Sequence, residues 1–327
     1  MPNPIPCDVA IYEAFAEEAD GLRRRLPSNL GIYLTPATIQ EAGHEWPPAR
    51  LISIRTQSFI PAKWAPRLQG VLSRSAGYDH LRAFLARAAR PVACGYLPDY
   101  CARAVAEHAL LLWLALLRRL PLQLASLSHF NRDGLTGREG RGRTLAVFGV
   151  GRIGREIARI GAGLEMNVLG VDLVRRHAEV HYVEPDEALE AADVIVCAMN
   201  LTAGNRGYFG RPQWEQVRIG AVFVNIARGE LAPTRDLAWA LDQGRLAAAG
   251  LDVYEEEAEI AGALRAGTPT GPAPQAMLEL ARRPNVLLTP HNAFNTEEAV
   301  ARKTEQAVRQ ILHFRETGRF LWPIPSE

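Results

Sequence analysis

Three polar stretches, each leaving a run that reads as a β-strand, could do chemistry together. Asn225-Ile226-Ala227-Arg228-Gly229-Glu230 puts a guanidinium at one strand exit. Leu251-Asp252-Val253-Tyr254-Glu255-Glu256-Glu257 puts carboxylates at the next, and Thr289-Pro290-His291-Asn292 an imidazole at the last. Hydride reduction of a 2-keto acid needs these side-chain types. A fixed arginine binds a carboxylate through two parallel N–H bonds. A histidine can protonate a carbonyl oxygen at neutral pH as hydride reaches its carbon. A carboxylate bonded to the imidazole raises its pKa and fixes its tautomer. Each group also has a plainer reading: Arg228 as a surface ion-pair former, Glu255–Glu257 as a solvated charge run, His291 as a satisfied loop histidine. Their gathering on one sheet edge, where doubly wound sheets bind ligands, favours the chemical reading.

A hydride donor is suggested upstream. Thr144-Leu-Ala-Val-Phe-Gly149-Val-Gly151-Arg152-Ile153-Gly154 reads as strand, GxGxxG loop and helix start. Gly149 permits the tight turn, Gly151 a close approach of backbone to a pyrophosphate, and Gly154 close helix–strand packing. The helix start at Arg152 and Ile153 offers backbone N–H groups to the anion. The next strand ends at Asp172, 18 residues after Gly154, where a carboxylate can accept from the adenosine ribose hydroxyls and would repel a 2′-phosphate. NAD is therefore expected over NADP, although Arg175 and Arg176 follow closely. A lone GxGxxG is weak evidence; the strand before it, the helix after it and the acid at this distance supply the context.

The elements that must position these groups alternate strand and helix, which implies α/β architecture with parallel sheets. The first hundred residues read as strands at 8–12, 31–34, 50–54, 70–74 and 91–94, with helices at 13–26 and 79–89, a flavodoxin-like doubly wound domain. One long helix is expected over about 102–127, broken at Pro121 and apolar nearly all round, hence buried against a second domain or subunit. Six further strands, at 144–149, 167–172, 193–198, 221–225, 247–252 and 286–289, fit the dinucleotide-binding version of the fold. A Gly/Pro-rich stretch at 258–274 reads as a surface loop. An amphipathic helix at 296–316 has no strand after it and is expected to pack on the first domain.

Composition narrows the possibilities. The 327 residues suggest two domains, and 48% hydrophobic against 22% charged residues excludes wholesale disorder. A net charge of +1 gives no field for a nucleic-acid partner. Of the 37 basic residues only Lys63 and Lys303 are lysines, so Schiff-base chemistry has two candidates. Cys7, Cys94, Cys101 and Cys197 lack CxxC spacing, and no metal site is expected. The longest apolar run, Ala109–Leu117, is nine residues, against roughly 20 needed for a bilayer. A soluble, cytoplasmic protein without a membrane partner is expected.

The sequence also resembles a known family, the D-isomer-specific 2-hydroxyacid dehydrogenases, and it does so over nearly the whole chain. The resemblance is carried by Arg74-Ser-Ala-Gly77-Tyr-Asp79, by Leu97-Pro-Asp-Tyr100-Cys-Ala-Arg-Ala-Val-Ala-Glu107-His108, by the glycine loop and by the three strand exits, in this order. It implies a Rossmann NAD-binding domain, 102–289, inserted in a flavodoxin-like substrate domain built from 1–101 and 290–327. By the same resemblance Arg228 anchors the substrate and polarises its carbonyl, His291 is the acid/base, and Glu257 is its partner, with Glu255 the rival. Asp252 is implied to hold the nicotinamide carboxamide, and the Ala76 and Gly77 amides the substrate carboxylate. Asn205 and Ile226 join the cofactor contacts. Family members are usually homodimers joined through the cofactor domain.

His291-Asn-Ala-Phe294 is similar to the D-lactate dehydrogenase branch, and Tyr100 with Phe294 would make a tight pocket suited to pyruvate. Phe294 as simple hinge packing is nearly as attractive, and a phosphoglycerate-type role is less so because no regulatory domain follows. Some residues depart from the family pattern: Cys101 replaces serine, Leu81-Arg82 replaces Ile-Asp, Glu165 replaces glycine, Ala198 replaces histidine and Asn200 replaces proline. None of these removes a catalytic group. Two alternatives stay open: an NAD(H)-sensing, corepressor-like protein with little turnover, and a related enzyme acting on an inorganic or one-carbon acid.

Overall fold

The computed structural model describes residues 7–325. The chain forms two compact units, one running to Cys101 and resuming at Asn295, the other Ala102–Phe294. The first holds five parallel strands: β1 (Val9–Ile11), β2 (Ile32–Leu34), β3 (Leu51–Ile54), β4 (Gly70–Ser73) and β5 (Ala93–Gly95). Their order, β2-β1-β3-β4-β5, is the flavodoxin-like one. Val9, Ile11, Ile52, Ile54, Val71 and Leu72 are all buried, as a parallel sheet covered on both faces requires.

The terminal helix Glu297–Thr317 belongs to this unit. Thr296 caps it by accepting from the Ala299 amide, and Gly318 ends it in the left-handed conformation. Phe314 lies against Gly70 of β4, where any side chain would collide with its ring, and it stacks on Phe320 at 4.4 Å between centroids. Beneath lies a fully buried ion cluster. Glu18 Oε1 accepts from Arg74 Nε at 2.8 Å and faces Lys303 Nζ at 2.9 Å. Arg74 also donates to Ser53 Oγ and to the Tyr12 carbonyl. Burial pushes the Glu18 carboxyl up, but the Arg74 and Lys303 charges outweigh it and hold the group at about 2.

The second unit holds seven parallel strands: β6 (Thr144–Phe148), β7 (Asn167–Val171), β8 (His181–Tyr182), β9 (Val194–Cys197), β10 (Ala221–Asn225), β11 (Leu246–Leu251) and β12 (Val286–Leu288). The order β12-β11-β10-β9-β6-β7-β8 is the dinucleotide-binding winding with one strand added at the far edge. The sequence pattern suggested six strands; β8 escapes it because two residues carry no periodicity. Phe148, Phe209, Trp214 and Phe223 pack ring to ring in the core at 5.0–5.4 Å.

Two other expectations are corrected. The stretch expected to be a long loop contains the helices Glu257–Arg265 and Pro272–Ala281, leaving only 266–271 between them. Its proline and glycine mark helix ends rather than a loop, Pro272 standing in the first turn and Gly271 at the cap. The long helix divides into Ala102–Leu117 and Leu120–Ser126, earlier than Pro121 itself, because a proline ring clashes with the carbonyl four residues before it. That carbonyl, Leu117 O, accepts instead from the Arg138 amide at 2.8 Å. Helix Ala102–Leu117 lies on β10 and β11 of its own unit, Leu112 meeting Gly250, while Leu111 stays 57% exposed. No single helix among the described residues is long and apolar enough to cross a membrane.

Glu18→Gln would leave two buried cations without their carboxylate. We expect it to lower the unfolding free energy by about 3–5 kcal/mol in urea titrations at pH 7; a loss under about 1 kcal/mol would contradict the cluster's importance.

Candidate active site

The glycine loop follows β6. Gly149 has φ +90°, and a Cβ there would stand 2.6 Å from the Met199 nitrogen on the neighbouring strand exit. At Gly154 a Cβ would collide with the Gly149 carbonyl, so helix and turn touch through backbone. Gly151 differs: its backbone is extended and a Cβ would meet nothing within 4 Å. The helix Arg152–Gly163 begins there with no side-chain cap and no acid in its first turn. This open, amide-lined start suits a pyrophosphate. Asp172, just past β7, accepts from the Val150 amide at 2.7 Å and the Val174 amide at 3.0 Å. Each oxygen keeps a lone pair for a ribose hydroxyl. Arg175 is paired with Glu184 at 2.9 Å. Asn205 uses its side chain on its own loop, accepting from the Thr202 amide and donating to the Asn200 carbonyl. Ile226 is buried at the exit of β10.

Three strand exits meet around β11. After β10, the Asn225 side chain accepts from the Ala227 amide and donates to the Arg228 carbonyl, holding the turn that bears Arg228. The Arg228 guanidinium donates to the Ala227 carbonyl at 2.8 Å. Gly229 presses on the 254–255 peptide so closely that no Cβ fits, tying this exit to that of β11. Beyond β11, Glu255 accepts from the Thr234 amide at 3.2 Å, whereas Glu257 reaches His291. Glu257 Oε1 and His291 Nδ1 are 2.7 Å apart. With Glu257 ionised, Nδ1 donates and Nε2 is the nitrogen left for proton exchange.

The His291 segment is fixed by Asp252, whose side chain is buried. Oδ1 accepts from Thr289 Oγ1 at 2.6 Å and the Asn292 amide at 2.8 Å; Oδ2 accepts from the Ala293 amide at 2.8 Å. Thr289, having donated, accepts from His108 Nε2 at 3.0 Å. The Asp252 carboxylate, expected at a nicotinamide carboxamide, thus already serves the loop that presents His291. The same contacts tie Asn292 and Ala293 to Asp252 within the compact unit that runs to Phe294. Phe294 itself is buried.

The remaining site candidates lie in the first unit. Ala76 and Gly77, half-buried, form the turn after β4. Tyr100 is buried beside Cys101 and near Glu18 and Arg55, and burial raises its phenol well above the usual range.

Comparisons with known proteins place this geometry. Residues 110–293 match the family described as D-isomer specific 2-hydroxyacid dehydrogenase, NAD binding domain. A D-lactate dehydrogenase of Streptococcus agalactiae is 33% identical over 258 residues, 77% of each chain. A D-specific alpha-keto acid dehydrogenase of Enterococcus faecalis is 33% identical over 227 residues, 67% of this chain and 66% of that protein. The crystal structure of D-lactate dehydrogenase from Aquifex aeolicus, complexed with NAD and lactic acid, superposes with a TM-score of 0.86 at 25% identity, covering 98% of this chain and all of that one. The chain belongs to the D-isomer-specific 2-hydroxyacid dehydrogenases. It is an NAD-dependent enzyme of that family, its Rossmann domain lying within Ala102–Phe294. The corepressor-like alternative gains no support, since the relatives carry enzyme names.

Four residues quoted in the sequence motifs gain a role only in this dehydrogenase site: Asn225 and Gly229 as clamps, and Thr289 and His108 as links to Asp252. Their types are common, and only the crossing of strand exits gives them a role. One departure from the family pattern now has a backbone context. Glu165 takes a left-handed φ of +58°, the conformation glycine adopts without cost, and its carboxylate pairs with Arg141.

The glycines predict a clean separation. Gly151→Ala should leave the melting temperature within about 2 °C of the parent yet weaken NADH binding about tenfold or more in fluorescence titration. Gly154→Ala should lower the melting temperature itself. Equal effects on folding at both positions would refute the assignment of the open space at Gly151.

Proposed function

We propose that the protein reduces a small 2-keto acid of pyruvate size to its D-2-hydroxy acid. The observation that carries the chemistry is the 2.7 Å contact between Glu257 and His291, which sets Nε2 as the proton-exchanging atom. Bound NADH supplies the hydride. Arg228 is assigned to the substrate carboxylate and the polarised carbonyl, and the amides of Ala76 and Gly77 to the carboxylate. His291 donates a proton to the carbonyl oxygen as its carbon becomes saturated, and Glu257 stabilises the imidazolium before that transfer. Glu257, rather than Glu255, is taken as the partner because Glu255 is engaged at Thr234. The cofactor is held by the loop Gly149–Gly154, including Arg152 and Ile153, by Asp172 at the ribose, and by Asn205, Ile226 and Asp252.

The aromatic residues Tyr100 and Phe294 support a small substrate, as does the D-lactate dehydrogenase likeness. The exposed apolar side chains Leu111, Leu120, Leu124, Leu127 and Phe130 support a homodimer formed through this part of the cofactor domain. The protein is assigned to the cytoplasm, with no membrane or nucleic-acid partner.

A panel of 2-keto acids, run with NADH and with NADPH, tests the reading. Pyruvate-sized acids should be preferred, with NADH the better donor. Arg228→Gln and His291→Gln should each lower kcat/KM on the best substrate by about 10²–10⁴-fold; variants equal to the parent would sink the assignment. Phe294→Ala should shift preference toward longer side chains, and an unchanged substrate profile would return Phe294 to simple packing.

A further inference from the structure

Three side chains that the mechanism does not use converge on the turn assigned to the substrate carboxylate. Ser73 Oγ and Ser75 Oγ lie 2.6 Å apart, Ser75 Oγ donates to the Gly77 carbonyl at 2.6 Å, and His80 Nε2 is 2.9 Å from Ser73 Oγ. Both serines are buried. Counting protons gives the chain a direction. A serine hydroxyl has one proton, and a carbonyl can only accept. Ser75 gives its proton to Gly77, so it must accept from Ser73. Ser73, having donated, must accept from His80, so Nε2 carries a hydrogen. The bonds therefore run from His80 to Ser73 to Ser75 to the Gly77 carbonyl.

The end of this chain is what matters. Gly77 has the freest backbone of any residue type, and a turn built on it can rotate its peptide planes. The bond from Ser75 Oγ to the Gly77 carbonyl closes a ring around the 75–76 and 76–77 peptides, the two rigid units that carry the Ala76 and Gly77 N–H groups, and so restricts how either can rotate. The other side of the segment is fixed too: Arg74, pointing the opposite way along the strand, is tied to Glu18, Ser53 and the Tyr12 carbonyl. An anchor of backbone amides gains most from being held in place before the ligand arrives.

We propose that Ser73, Ser75 and His80 are positioning residues that hold the Ala76–Gly77 turn ready for the substrate carboxylate. His80 acts as a hydrogen-bond donor and not as an acid. Its Nε2 hydrogen is present in both the imidazolium and this neutral tautomer, so the hold persists through neutral pH. The proposal rests on the functional reading above for the identity of the ligand.

The test combines kinetics with a measurement that needs no turnover. Ser75→Ala, Ser73→Ala and His80→Leu should each raise KM for the preferred keto acid about tenfold, with kcat within about twofold and NADH affinity unchanged. Ser75→Thr and His80→Gln, which keep a donor, should stay near the parent. The rise in KM should be the same at pH 6.5 and pH 8. Hydrogen exchange of the amides at 75–78 should quicken in the three disrupting variants and not in the two conservative ones. Unaltered exchange, or a loss of NADH affinity in step with KM, would overturn the positioning role. A parent that binds NADH but reduces no 2-keto acid would instead overturn the functional reading, and the carboxylate half of this proposal with it.

Discussion

Asp252 lies just past β11 with 1% of its surface exposed, and its two oxygens accept from Thr289, Asn292 and Ala293 on either side of His291. Hydrogen bonds to a charged acceptor are each worth about 1.5–3 kcal/mol, and leaving such a carboxylate unsatisfied would cost more. The segment that presents the imidazole is therefore bound to the strand beside it. Gly229 does the same for the other neighbour through bare backbone contact. Two exits are thus referred to a third, and the placement of guanidinium, carboxylate and imidazole follows from that shared strand.

Strain accompanies this arrangement. Glu256 and His291 both have left-handed backbones, φ +56° and +50°, one beside the carboxylate partner and one at the imidazole. Such conformations cost roughly 1 kcal/mol or more in L-residues and persist where surrounding contacts over-determine them. Asp252 supplies those contacts at His291. At Glu256 the left-handed residue caps the helix that starts with Glu257, so the turn aims that side chain back toward the strand exits.

Much of this was legible in sequence because it rests on periodicity and spacing. Every strand but β8, the glycine loop with Asp172, and the three polar exits announce themselves locally. Features set by packing between distant segments did not. The sequence left Glu255 a rival to Glu257 because only the residue count from Asp252 chose between them; in the structure Glu255 accepts from the Thr234 amide, 21 residues before it, while Glu257 lies against His291. The helix Glu257–Arg265 hid in a stretch whose glycines and prolines read as a loop, and β8 was too short to register. The bonds from His80 to Gly77 join residues of the most ordinary kinds across a strand, a turn and a helix.

The buried ion cluster has a chemical consequence outside catalysis. Lys303 is one of only two lysines, and its amine is fully enclosed against Glu18. Lys63, half-exposed and over the Trp46 ring, is the other. A chain with 37 basic residues thus presents a single lysine side chain to amine-directed reagents or modifying enzymes. Acylation or cross-linking in the native state would converge on Lys63, far along the chain from Arg228, Glu257 and His291, and a second modified lysine would report that the first unit had opened.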